Sequence, residues 1–206
     1  MNWNFRVLCL ALASIISHAC GILSKDAIVF HAINYPVPAK SVESAVPETI
    51  MVYRFLMDSK VDTHNLLISD RRSSAKVVNN LVWTQDPSVM LTELVIRDLE
   101  SSGLFQKAVD QTSNVPYRYA LEGTIKKFEG TINDSKASGI IEAKIRLIDF
   151  ETRPVGQSQL LKKDYLIETR SKDDSPKSLA EALDKAAKKL SQELRNDIGK
   201  AIEKNP

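Results

Sequence analysis

The chain has 206 residues, 28 Lys and Arg against 26 Asp and Glu, and a formal net charge of +2 at pH 7. Charged residues make up 26% and mix both signs, which excludes the one-signed field that binds nucleic acid. The length suits one domain with a substantial core, and the sequence holds no internal repeat or low-complexity tract.

The first twenty residues predict a compartment. Arg6 is the only charge before an apolar run, Val7 to Ile16, and Ser17-His18-Ala19 places small residues at the third and first positions before Cys20. This is the layout of a secretory signal peptide, residues 1–19. The run is too short for a membrane anchor, which needs roughly 20 apolar residues. A cysteine at the cut predicts that the Cys20 thiol carries lipid, palmitate included. Ser17 stands where lipid-attachment boxes usually have Leu, so an ordinary cleavage site that leaves Cys20 free is the alternative. Cys9, the only other cysteine, lies in the leader. The processed chain would therefore hold one thiol, which acylation would consume. Several acyl chains hold firmly, at about 0.8 kcal/mol per buried methylene. Gly21, not Asp, follows Cys20, which in a Gram-negative cell favours the outer membrane, facing the periplasm.

Residues 20–48 read as a tether with one strand at most, Ala27-Ile28-Val29-Phe30. Pro36, Pro38 and Pro47 are excluded from a central strand because proline lacks the ladder donor. Strands are expected at Thr49–Met57, Asn65–Ser69 and Lys76–Trp83. Asp86 then caps a helix with Pro87 at its first position. Met90, Leu91, Leu94, Val95 and Leu99 make its apolar stripe, and Gly103 stops it. A short strand follows near Lys107–Val109. Tyr117–Phe128 alternates apolar and polar until Lys127-Phe128, where a bulge is expected. Gly130–Ser138 reads as a polar loop, Gly139–Phe150 as the next alternating strand, Arg153–Gly156 as a turn and Gln159–Glu168 as the third member of an antiparallel meander. Ser175 caps a last helix, Pro176 to about Glu203, whose stripe runs through Leu179, Leu183, Ala186, Leu190, Leu194, Ile198 and Ala201. Its reading is a core helix across the sheet; its balanced charge argues against a membrane-surface role. The expectation is a two-layer α+β domain over residues 49–204, a mainly antiparallel sheet packed by two helices.

No catalytic set stands out. His31 and His64 lack a carboxylate or second ligand at metal spacing, and no nucleophile elbow, P-loop or dinucleotide fingerprint occurs. Asp173-Asp174, beside Lys172, reads as a solvated connector. The chain is expected not to be an enzyme and to need no cofactor or metal. A lipid-anchored hydrolase remains the rival from another class. Trp83 is a candidate partner contact, since aromatics favour interface centres; core packing beside the helix is its alternative.

Four strings carry a resemblance. They are Val82-Trp83 with Asp86-Pro87 and Ser102-Gly103-Leu104-Phe105; Pro116-Tyr117-Arg118-Tyr119-Ala120-Leu121-Glu122-Gly123 running to Lys127-Phe128-Glu129; Ile140–Phe150 through Leu147-Ile148-Asp149; and Leu179-Ala180-Glu181-Ala182-Leu183 with Leu190-Ser191. Over about residues 48–204 the chain resembles the ABC-type transport auxiliary lipoproteins, the family of paraquat-inducible protein C. The resemblance implies an outer-membrane lipoprotein that accompanies an ABC permease and an MCE protein in carrying lipids across the envelope. It also implies no catalytic residues, and a homo-oligomer by analogy with the ring-shaped MCE assemblies. A lipopolysaccharide or outer-membrane assembly lipoprotein, or a purely structural envelope lipoprotein, would share the anchor and the lack of chemistry.

Overall fold

One long strand organises the molecule. The computed structural model describes residues 27–40, 46–58, 64–70, 75–133, 136–151 and 158–205. The leader, Cys20 and the Arg153–Gly156 turn lie outside them. In chain order the elements are β1 (Val29–His31), β2 (Val46–Val52), β3 (Leu56–Met57), β4 (Asn65–Ser69), β5 (Ala75–Trp83), α1 (Pro87–Ser102), β6 (Phe105–Asp110), β7 (Tyr119–Asn133), β8 (Lys136–Asp149), β9 (Gln159–Arg170) and α2 (Pro176–Glu203). All nine strands form one sheet.

On one edge β7 pairs antiparallel with β8, which pairs antiparallel with β9, giving the expected meander. Its register shifts between Ile125 and Lys127, next to the expected bulge. The other edge of β7 is shared by three short parallel strands in tandem. β2 meets Tyr119–Leu121, β3 meets Thr124 and Ile125, and β4 meets Gly130 and Thr131. From there the sheet forks. β2 continues to a parallel β6, and β4 continues through an antiparallel β5 to a parallel β1. The parallel joints are additions to the expected antiparallel sheet.

Three expectations are corrected. The tether does not stay outside the domain up to residue 48: β1 joins the sheet, and Ile33 and Tyr35 lie in the core. Pro47 does sit in β2, between two parallel neighbours. It is accommodated because the β2–β6 register shifts between Val46 and Thr49, and β7 meets β2 only from Ile50 onward. Gly130–Ser138 is not a loop; β7 runs to Asn133 and β8 starts at Lys136, a tight hairpin.

The helices begin where the sequence places them. Asp86 accepts the Ser88 N–H at 2.8 Å, Ser175 accepts the Ser178 N–H at 3.2 Å, and each helix starts with proline. Gly103 closes α1 with φ 75°, a left-handed turn that only glycine adopts freely. Asp173 ahead of α2 accepts hydrogen bonds from the Ser175 hydroxyl and amide, which hold its carboxyl at about 2. The acidic pair at 173–174 thus begins as a loop organiser.

α2 lies across β7, β8 and β9, and glycines let it come close. A Cβ on Gly139 would stand 2.7 Å from the Leu183 backbone nitrogen and 2.9 Å from the Ala182 carbonyl carbon. Thr169, in register with Gly139 on β9, donates its hydroxyl to the Ala182 carbonyl. Helix backbone cannot yield as a side-chain tip can, so Gly139→Ala is expected to cost about 1–3 kcal/mol. The check is the midpoint of urea unfolding, which should fall with the slope unchanged.

A buried polar junction joins the N-terminal segment to both helices. Asp98 on α1 is 1% exposed. Its carboxylate accepts the Tyr35 hydroxyl at 2.8 Å, the Ser191 hydroxyl from α2 at 2.6 Å and the Arg97 Nε at 2.9 Å. Arg97 also donates to the Tyr35 carbonyl at 3.2 Å and lies 4.6 Å from its ring centroid. Burial, then the charge and hydrogen bond of Asp98, push the Tyr35 hydroxyl well above its usual range, so it remains a neutral donor.

Candidate functional site: a basic groove on the open face of the sheet

Alternation along β7, β8 and β9 sends one set of side chains toward α2 and the other to solvent. The inward rows are apolar: Ile125, Ala143 and Tyr165 in one, Phe128, Ile141 and Ile167 in another, all buried. Each outward row carries charge. Glu122, Arg146 and Lys162 stand side by side, and Thr124, Lys144 and Asp164 form the next row.

This outward face borders a groove of about 560 Å³ whose walls include Tyr53, Arg54, Leu56, Gln111, Lys144 and Lys162. Four cations line it against one acid, Glu122. Glu122 is taken up by Arg146. The nearby acids are also engaged: Lys126 lies 3.6 Å from Asp164, and Lys127 lies 3.5 Å from Glu142. Arg54 reaches Asp86 at 3.8 Å. Among the described residues Lys144 and Lys162 are left without an acidic partner. They are diagonal neighbours on adjacent strands, a spacing of about 7–8 Å. Neither ammonium makes an ion pair within 4 Å among the described residues, and Leu56, 67% exposed, adds an apolar side chain to the groove. Sequence reading saw these cations only as the solvated side of a strand; their convergence with Arg54 and Gln111 comes from the tandem pairing along β7.

The other candidates fall elsewhere. Trp83, expected as a candidate contact, is 2% exposed. Its ring meets Phe128 edge-on at 5.1 Å and His31 at 5.5 Å. The ring fills the space between β1, β5 and β7, the core packing given as its alternative. His31 Nε2 lies 3.1 Å from both Asp184 carboxylate oxygens, so it ties β1 to α2. The His64 carbonyl accepts the Trp83 N–H at 2.7 Å. Among the described residues no group of three or more His, Cys, Asp or Glu side chains is placed to hold a metal ion, and no helix is long and apolar enough to cross a membrane. Arg118 and the buried Asp149 form a two-pronged ion pair at 2.9 and 3.1 Å, which fastens the start of β7 to the end of β8.

Comparison with known proteins gives a family and a fold. The model of the family described as ABC-type transport auxiliary lipoprotein component matches residues 32–195. No curated protein matches the chain. A crystal structure of a Xanthomonas campestris protein superposes with a TM-score of 0.72 at 16% identity, covering 86% of this chain and 100% of that one. A hypothetical protein of Chlamydia trachomatis superposes with a TM-score of 0.54 at 11% identity, covering 78% of this chain and 100% of its own. At these identities the two structures establish the shared fold.

Proposed function

The chain belongs to the ABC-type transport auxiliary lipoprotein family of the bacterial envelope, and on that premise we propose that it is a non-catalytic docking or gating subunit of an ABC/MCE-type system that moves lipids between membranes. Lipidated Cys20 tethers it to the outer membrane, and the domain stands in the periplasm. The observation that carries this reading is the family match across residues 32–195. The physical need is plain. Exposing an acyl chain to water costs roughly 0.8 kcal/mol per methylene, so a lipid crossing the periplasm requires a protein conduit that must be docked at its outer end. The basic groove is the docking surface, and its complement is an acidic face on the MCE protein or the permease complex. Such charge matching chiefly sets partner choice and rate of encounter.

The test is genetic. Deletion is expected to shift phospholipid between the inner and outer membranes. The native chain should restore the balance; Cys20→Ala and the double substitution Lys144→Glu/Lys162→Glu should not. Leakage of envelope contents with an unchanged lipid distribution would reject the transport role in favour of a structural lipoprotein.

A further inference from the structure

Three consecutive large apolar side chains stand in solvent at an edge of the sheet: Ile28 is 60% exposed, Val29 50% and Phe30 68%. Among the described residues β1 pairs only with β5, which leaves its outer edge open among them. Open edges are usually guarded by charge, proline or a bulge, and Val29-Phe30-His31 has none of these. A contiguous exposed apolar strip marks a contact surface where a lone exposed residue does not. The half-buried Val82, in register with Phe30, extends the strip onto β5.

The strand is held firmly. His31 is bound to Asp184 and rests edge-on against Trp83, and its carbonyl accepts the Thr84 N–H at 2.9 Å. Fixing His31 on the helix side places Val29 on that side with it and turns Ile28 and Phe30 to the opposite, helix-free face.

The chain that precedes the strip says what covers it. Ile28 follows Cys20 by eight positions. Even fully extended, that length spans at most about 30 Å. A bilayer holding acyl chains on Cys20 therefore lies within that distance of the strip. β4 meets β7 at Gly130 and Thr131, and Asn65, opposite Val82, lies three residues earlier, so β1 sits beside the middle of β7, two strands away from it.

We propose that Ile28 and Phe30, with Val29 at the strand edge, seat in the interfacial layer of the membrane that anchors Cys20, so that the domain stands on β1. The proposal rests on the anchoring of Cys20 for the identity of the surface brought near. Apolar side chains at such a boundary bind in proportion to the area they bury. The seat would give the tethered domain a second point of attachment.

The experiment uses the full protein purified from its own envelope, reconstituted in phosphatidylethanolamine–phosphatidylglycerol vesicles, with the mass of its N-terminal peptide measured. Phe30→Trp and, separately, Ile28→Trp are compared with the parent, whose Trp83 supplies the buried background. Leu166→Trp, at an exposed site on β9, is the control. The expected result is blue-shifted added emission from both reporters, quenched by brominated acyl chains, with no quenching at the control. If Cys20 is acylated and both reporters stay red-shifted and unquenched, the seat is overturned. If their emission shifts to the blue with rising protein concentration in detergent and lipid quencher has no effect in vesicles, a second copy covers the strip and the seat is overturned. If the peptide carries no acyl mass but the reporters are still quenched on vesicles, the anchor reading fails and the seat stands.

Discussion

Asp98→Ala is expected to lower the thermal midpoint by about 10 °C or more, from a loss of about 3–5 kcal/mol in a domain of this size. The carboxylate is 1% exposed and receives donors from three places, the N-terminal segment, its own helix and α2. Alanine removes the acceptor and leaves the donors. The Tyr35 and Ser191 hydroxyls become buried and unsatisfied, at about 1–3 kcal/mol each where no water enters. The largely buried guanidinium of Arg97 loses its counter-charge. Tyr35→Phe/Asp98→Ala is the informative double variant. Because the phenol then needs no acceptor, the pair should cost less than the sum of its single changes. Strict additivity in thermal melts would show that the junction does not act as a unit.

Trp83→Ala is expected to cost about 3–5 kcal/mol, the range for removing a large buried aromatic. The indole is packed between His31 and Phe128, so its loss opens a cavity under β1 and frees the edge strand. Trp83→Phe keeps part of the volume and should be milder. The pair also separates packing from contact. If the ring only packs, Trp83→Phe should capture the same envelope partners as the native chain at a temperature where both are folded. A native melting curve combined with lost partner capture would return Trp83 to the interface.

Local chemistry made much of this fold readable. Asp86-Pro87 and Gly103 bound α1, and Ser175-Pro176 starts α2, because capping depends on neighbours a few residues away. The meander was legible from strict alternation, down to the irregularity near Lys127. What escaped was non-local. Nothing in the residues of β2, β3 or β4 announces that they line up along one edge of β7, because parallel pairing is set by tertiary packing. Gly130–Ser138 read as a polar loop, but both of its arms are strand, and Gly130 and Gly139 lie under α2. They are glycines because Leu179 and the Leu183 backbone lie against them. A glycine on each arm of a predicted hairpin was the available sign of a close helix.

The site divides the same way. The signal that proposes Cys20 is linear, and the residue lies outside the described ones. Lys144 and Arg146 belong to the alternating pattern of β8, yet only the register puts Lys162 of β9 beside Arg146, across a groove from Arg54. Trp83 carries two readings in sequence, contact and core packing, because an aromatic at a strand end looks alike whether it faces a partner or a core; its ring is 2% exposed. The Tyr35–Asp98–Ser191 junction joins residues 63 and 93 positions apart, a distance no local pattern spans.

The most direct measurement is cross-linking of the membrane-bound protein in its own cells, followed by purification and identification of what comes with it, with Cys20→Ala carried in parallel. Recovery of an MCE protein or an ABC permease, lost or displaced with Cys20→Ala, is the predicted result. Recovery of outer-membrane barrel or lipopolysaccharide machinery alone would contradict the transport role and identify an assembly lipoprotein instead.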